Sequence, residues 1–459
     1  MFRSFFLITL CLYSVSVFSA DKPNVLFIAV DDLNDFPTFA KHYPDAKTPH
    51  LDELAARGMV FTRAHCQFPL CGPSRASIMS GLLPATLGYD NHMKDDALQE
   101  RARDLGTELL HTYFAKQGYK TMAVGKICHH HVPKGSVDAT GGRGSFSGGT
   151  GKLKKNWHQN GTSTDWAMAP ESDDKLPDHH AAAWAVRQLE EKHDKPFFMM
   201  VGFLRPHVPW YVPKKWFDRY DKTKITLPPY RKDDLDDVPQ MAKDISILKQ
   251  MPRTDWAIEK KQWRNIVHAY LACVTFSDHQ VGRVIEALDK SPYKDNTIIV
   301  LWSDHGYHMG EKNTFQKQSL WERSSHVPLV IAGPGVEGKR RCDRIVSLLD
   351  LYPTLVEMCG LPANAKNEGH SLVPLLQKPD QAWSYPAIIG WKQNSFAVQD
   401  ERYRYIRYGD GSEELYDHQA DAHEWKNLAD QTDLAPIKQK LGAFVPKAAT
   451  TPKKGKKHK

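Results

Sequence analysis

Short apolar runs alternate with amphipathic segments along most of the chain, and that alternation predicts an α/β fold on a largely parallel sheet. Residues 24–30, 196–203, 296–302 and 327–332 are apolar runs of the kind that form strands buried on both faces. Strands are also predicted at 59–62 and 119–124. Helices are predicted at 51–57, 109–116 and 180–192, and as one long segment over 256–289. Residues 135–152, rich in Gly, Ser and Thr, predict a long surface loop. Near residue 380 the pattern changes. Short alternating segments at 386–390, 396–399, 403–408 and 414–416, then a helix after Leu434, predict a small α+β C-terminal subdomain.

The chain has 459 residues, room for one large domain and a smaller one. Its N-terminus reads as an export signal: Arg3, an apolar stretch over 5–17, and small residues to Ala20, with cleavage expected after Ser19 and, as the alternative, after Ala20. That divides the chain into a signal peptide at 1–19, a catalytic domain at 20–379 and a C-terminal subdomain at 380–446. A disordered basic tail follows at 447–459. The mature protein is then secreted or periplasmic, and no membrane span is expected. Cys11 falls in the signal. The remaining cysteines (Cys66, Cys71, Cys128, Cys273, Cys342 and Cys359) have irregular spacing and suggest neither a zinc knuckle nor a disulfide framework. The net charge of +7 fits an anionic substrate. Its basic residues are spread widely, and no nucleic-acid partner is expected.

In parallel sheets, ligand-binding residues gather beyond the carboxyl ends of strands. Asp31 and Asp32 end the first strand, Lys126 and His129 follow the strand ending at Val124, His207 follows the one ending at Phe203, and Asp304 and His305 follow the one ending at Trp302. Gathered carboxylates repel unless a cation neutralises them, and hard oxygen ligands suit calcium or magnesium. Cys71-Gly72-Pro73-Ser74-Arg75 is the sharpest signal. Pro73 suits the first turn of a helix, which puts Cys71 at the positive helix end, facing any bound anion.

That motif, with Ala76-Ser77 and Ser80-Gly81 after it, resembles the signature of the formylglycine-dependent sulfatases. Further blocks of the resemblance are Gly118-Tyr119 with Thr121, Gly125-Lys126, Ser303-Asp304-His305-Gly306, His326-Val327-Pro328-Leu329, Asp350-Leu351-Tyr352-Pro353-Thr354 and Glu414-Leu415-Tyr416-Asp417. Together they span about residues 24–429. Asp304-His305, Arg205-Pro206-His207-Val208-Pro209 and Gly310-Glu311 leading to Lys317 are most similar to the iduronate-2-sulfatase type. The segment after Lys126 departs from the pattern, because His130 and His131 compete with His129 for one role.

The resemblance implies an alkaline-phosphatase-like fold: a large mixed, mostly parallel sheet flanked by helices, with a smaller C-terminal α+β subdomain. It implies that a formylglycine-generating or sulfatase-maturing enzyme oxidises Cys71 to formylglycine (3-oxoalanine), whose hydrate has two hydroxyls. One attacks sulfur and displaces the alcohol; the other loses its proton as the aldehyde re-forms and sulfate leaves. One divalent cation, calcium or magnesium, is implied at Asp31, Asp32, Asp304, His305 and residue 71. Arg75 orients the diol, and Lys126 and Lys317 hold sulfate oxygens. His129 takes the diol proton, and His207 protonates the leaving oxygen. The substrate implied is a sulfated carbohydrate, with Arg205 expected to pair with a uronate carboxylate. The competing readings are a phosphate or phosphonate ester hydrolase of the same architecture and a non-catalytic binder of sulfated glycans.

Overall fold

The structure, a computed structural model, describes residues 22–145 and 154–446. The proposed signal peptide and basic tail lie outside the described residues.

Strands follow in chain order as β1 (Asn24–Val30), β2 (Gly58–His65), β3 (Lys120–Gly125), β4 (Ala139–Gly142), β5 (Trp166–Met168), β6 (Phe197–Phe203) and β7 (Trp210–Val212). Next come β8 (Thr297–Ser303), β9 (His326–Ala332), β10 (Arg340–Ser347), β11 (Ala387–Trp391), β12 (Ser395–Gln399), β13 (Tyr403–Arg407) and β14 (Glu413–Asp417). The main sheet has eight strands in the order β10-β2-β9-β8-β1-β6-β3-β4. Only β9 runs against the rest, antiparallel to both β2 and β8.

Burial explains why the central strands read as unbroken apolar runs. Every residue of β1 is buried, and successive side chains enter opposite layers. Leu26, Ile28 and Val30 join the core under the helices Trp263–Lys290 and Pro177–Glu190. Val25, Phe27 and Ala29 join the core that includes Ile78, Leu110 and Leu355, from the helices Cys71–Ser80, Leu110–Lys116 and Leu351–Met358. The four-stranded antiparallel sheet β11-β12-β13-β14 packs through Ile389, Ala397 and Ile406 onto Phe68, Leu70 and Trp321 of the larger part.

Two expectations are corrected. Within 135–152, Ala139–Gly142 pairs in parallel with β3 as an edge strand; residues 146–152 lie outside the described residues. The long helix expected over 256–289 is two helices, Thr254–Glu259 and Trp263–Lys290, and Lys261 between them is left-handed at φ 55°. All six described cysteines are free and buried. Among the described residues no helix is long and apolar enough to cross a membrane.

Asp278, buried in the long helix, accepts the Leu51 N–H at 2.8 Å. Burial pushes its carboxyl up to about 7, with Asp52 adding to the rise. A folded-state pKa raised above the unfolded value gives stability that is fully present below the ordinary carboxylate range and is lost progressively as pH rises from there to about 7. Asn keeps the acceptor oxygen and does not ionise. Asp278→Asn is therefore expected to melt ~2–4 °C above the parent at pH 8.5, with the gap closing steadily as pH falls toward 4; thermal melts across that range check this.

Candidate active site

β8, β1, β6 and β3 are adjacent and parallel, and their carboxyl ends finish level: Val30 pairs with both Phe203 and Ser303, and Gly125 with Gly202. That brings Asp31, Asp32, Lys126, His207, Asp304 and His305 to one edge. Gly125 is needed there. Its φ is +80°, and a Cβ would stand 1.8 Å from the Gly202 carbonyl oxygen, so the chain turns into Lys126 only with no side chain in the way. From the other side comes the helix Cys71–Ser80, buried along its whole length, with Cys71 in its first turn.

Arg75 anchors the centre. It donates from Nε to Asp304 Oδ2 at 2.8 Å, from Nη2 to Asp31 at 3.3 Å, and from Nη1 to the carbonyls of Lys126 and Ile127. The Lys126 ammonium reaches Asp31 Oδ2 at 2.6 Å, and Lys317 reaches Asp32 Oδ1 at 2.6 Å and Cys71 Sγ at 3.2 Å. The Cys71 sulfur lies 3.2 Å from His305 Nε2 and 3.9 Å from Asp32 Oδ1. Burial pushes Asp31 up, but Lys126 and Arg75 outweigh it and hold the carboxyl well below the usual range. For Asp32 burial wins over Lys317 and His305. Burial also pushes the Cys71 thiol up to about 12 against the two lysines.

The donor set fits a divalent cation. Ligand atoms of Asp31, Asp32, Cys71 and His305 lie within 4.8 Å of one another. His305 Nδ1 faces the Gly306 carbonyl at 3.0 Å, which turns Nε2 toward Asp32 and Cys71. Asp32 Oδ2 is buried with no hydrogen-bond partner, the expected state of a carboxylate oxygen meant for a metal. Asp304 stands slightly apart: its Oδ2 is held by Arg75, while its Oδ1 takes the Asp32 N–H and lies 3.7 Å from His305 Nε2. Asp31, Asp32 and Asp304 are matched in charge by Arg75, Lys126 and Lys317. A divalent cation would leave a surplus that favours an anionic ester.

Beside this cluster lies a cavity of about 380 Å³ whose lining includes Cys71, Lys126, His129, His207 and Lys317. His207 donates from Nδ1 to the Val208 carbonyl at 2.6 Å, leaving Nε2 3.9 Å from Asp32 Oδ2. Burial, Lys317 and Lys126 hold its pKa well below the ordinary histidine value. Of three consecutive histidines, His129 lines the cavity, whereas His130 faces Asp95 and His131 bonds Gly125 O and Thr140 Oγ1. His129 is lowered to about 2 by burial and Lys126.

One expectation fails here. Arg205 does not face the cavity. It is 1% exposed and lies behind His207, donating to the carbonyls of Tyr211 and His207, while its own N–H is fixed by Asp178. It holds the His207 loop, and its described side-chain hydrogen bonds go to backbone carbonyls. Trp210, at 0% exposure, is likewise core. Arg205→Lys is therefore expected to lower turnover of uronate and neutral sugar sulfates alike, by roughly 10- to 100-fold; parallel kcat/KM measurements on the two classes check this.

His92 was not anticipated. It lines the cavity and stacks on His129 with ring centroids 3.8 Å apart. Its one sequence signal is indirect: Gly72 lies beneath it, where a Cβ would stand 2.6 Å from His92 Nδ1.

Comparison with known proteins agrees with this geometry. The Sulfatase family model matches residues 23–361, and the model for N-sulphoglucosamine sulphohydrolase, C-terminal, matches residues 310–449. A sulfatase of Formosa agariphila is 45% identical over 445 residues, which cover 94% of this chain and 88% of that one. The iduronate 2-sulfatase of Mus musculus is 30% identical, covering 75% of this chain and 70% of its own. A protein solved in complex with its substrate D-glucosamine-2-N,6-O-disulfate shares the fold, with a TM-score of 0.72 at 21% identity over 93% of this chain and 97% of that one. The nucleophile motif, the acidic strand ends and these matches lead to one conclusion: the chain belongs to the sulfatase family and is a sulfuric ester hydrolase.

Proposed function

We propose that the protein removes sulfate from a sulfated carbohydrate, with Cys71 converted to formylglycine and one calcium ion held by Asp31, Asp32, Asp304, His305 and residue 71. The observation that carries the sugar assignment is the composition of the cavity beside Cys71. Beside its charged and imidazole groups it is lined by Thr162, Ser163, Thr164, Gln250, Gln316 and Gln318, with one aromatic ring, Tyr307, and the apolar Leu70, Val208, Leu248 and Met251. Neutral hydroxyl and amide groups of this kind bind sugar hydroxyls, whereas a flat aryl ester would favour an aromatic slot. The sugar-sulfate substrates of the iduronate 2-sulfatase relative and of the disulfate-bound neighbour support the same class.

The bound cation would supply charge that lowers the pKa of the diol and polarises the ester. The side chains do the rest. Arg75 fixes Asp31, Asp304 and the backbone under the nucleophile. Lys126 and Lys317 hold sulfate oxygens, His207 Nε2 serves the leaving oxygen, and His129 accepts the proton that accompanies sulfate release. We place the boundary between catalytic domain and C-terminal subdomain at 379/380 and infer export by the N-terminal signal, matured by a formylglycine-generating or sulfatase-maturing enzyme.

The test is sulfate release from 2-sulfated uronate oligosaccharides, neutral sugar sulfates, choline sulfate, a small aryl sulfate and the matching phosphate esters. Each is assayed before and after chelation and after calcium is returned. Sugar sulfates are expected to lead, with activity lost on chelation and regained with calcium. Preference for choline or aryl sulfate by orders of magnitude would overturn the sugar assignment, and full activity in metal-free protein would overturn the metal site.

A further inference from the structure

A second polar cavity, of about 550 Å³, lies where β9 meets the C-terminal sheet and shares no lining residue with the cavity beside Cys71. Among its lining residues are Asp35, His42, His308 and His326. The reaction uses none of them.

We infer that Asp35, His42 and His326 form a second metal site, for a borderline divalent cation of the zinc class. Their ligand atoms lie within 4.8 Å of one another. His326 Nδ1 is 3.5 Å and His42 Nδ1 is 3.9 Å from Asp35 Oδ2. These gaps are too long for good hydrogen bonds. They approach the spacing of ligands around a tetrahedral zinc, roughly 3.3 Å for bonds of ~2.0–2.1 Å. Two imidazoles and one carboxylate, with a cavity on the open side, are the donor types and number that zinc takes when it keeps a position free.

Two further observations point to a ligand. Asp35, 2% exposed, has Oδ1 buried with no hydrogen-bond partner, while its Oδ2 is held by Arg323. His326 is oriented from behind. The β2–β9 ladder slips between Phe61 and Ala64, and the Thr62 carbonyl accepts from His326 Nε2 at 2.8 Å. That bond places the proton on Nε2 and turns the Nδ1 lone pair toward Asp35, the way a metal-ligating histidine is usually supported. Charge agrees. Asp35, Asp234, Glu311, Glu322, Glu401 and Glu424 outnumber Lys41, Arg63, Lys312, Arg323 and Arg404, a net negative field that favours a cation. Protonated imidazoles would balance the same charge without a metal, and the experiment separates the two cases.

His42 is the residue to change, because its side chain is 40% exposed and its loss should leave the fold intact. The mature, calcium-loaded enzyme is gel-filtered after incubation with zinc chloride, and its metals are counted by mass spectrometry. The parent is expected to retain one zinc per chain beyond the calcium. His42→Ala should lose that zinc, binding it at least tenfold more weakly, with calcium content and sulfate release unchanged. His418→Ala, which alters the neighbouring group of Glu322, His418 and Glu424, should keep it. Cobalt in place of zinc should give tetrahedral visible absorption in the parent that His42→Ala lacks. Equal zinc in parent and His42→Ala, loss of zinc in His418→Ala alone, or no zinc retained by the parent would each overturn the site.

Discussion

Cys71→Ala is expected to reduce sulfate release from every ester to background, a loss on the order of 10⁴-fold or more. The side chain is 2% exposed at the head of a wholly buried helix, so removing one sulfur atom leaves a small void costing about 1 kcal/mol and the protein still folds. Its neighbours remain in place, because Arg75, Lys126 and Lys317 are each fixed by a carboxylate as well. Cys71→Ser is more informative. Its single hydroxyl can attack sulfur and expel the alcohol once, but it has no second hydroxyl whose proton loss would re-form a carbonyl and eject sulfate. One alcohol per chain without sulfate is therefore expected, in a burst assay paired with intact mass. In the active parent, the peptide carrying residue 71 should be roughly 18 Da lighter than the cysteine form, or should appear as its hydrate. Full turnover by a chain carrying only the free thiol would overturn the formylglycine assignment.

The central sheet was legible because β1, β6 and β8 are buried on both faces, and burial of that kind writes an unbroken apolar run. β10 was not. Its sequence carries Arg340, Arg341, Asp343 and Arg344, and as an edge strand it buries only part of its length. β4 is Gly-rich, and pairing with β3 rather than side-chain propensity makes it a strand. In the site, the acidic strand ends and the Cys71 motif were legible because each is a local sequence feature. His92 was not, since a loop brings it over Gly72 from outside any motif. Arg205 misled for the opposite reason. Adjacency to His207 suggested a shared pocket, but the loop turns the guanidinium inward to backbone carbonyls. The cluster of Asp35, His42 and His326 joins segments nearly three hundred residues apart in sequence, and only the folded chain brings them together.

His207→Ala is expected to lower kcat/KM for a sugar sulfate by about 10² to 10⁴, while 4-nitrophenyl sulfate loses less than about tenfold. The difference follows from the leaving groups. A sugar alkoxide is too basic to depart without a proton; a nitrophenolate departs without one. We propose His207 as the donor: with Nδ1 protonated against Val208, Nε2 donates only as the imidazolium, a form favoured when a sulfate anion offsets Lys126 and Lys317. The Val208 carbonyl fixes His207 Nδ1, Nε2 stands 3.9 Å from Asp32 Oδ2, and His207 lines the same cavity as Cys71 and Lys317. Lys317→Ala is the contrasting variant. Its ammonium stands on Asp32 and the sulfur of Cys71, where it would meet sulfate oxygens whatever alcohol leaves. Its loss should fall on all esters alike. A series of sulfate esters with graded leaving-group pKa separates the two. The plot of log kcat/KM against that pKa should steepen for His207→Ala and shift down in parallel for Lys317→Ala. A parallel shift for His207→Ala would remove it as the proton donor and leave it a binding group.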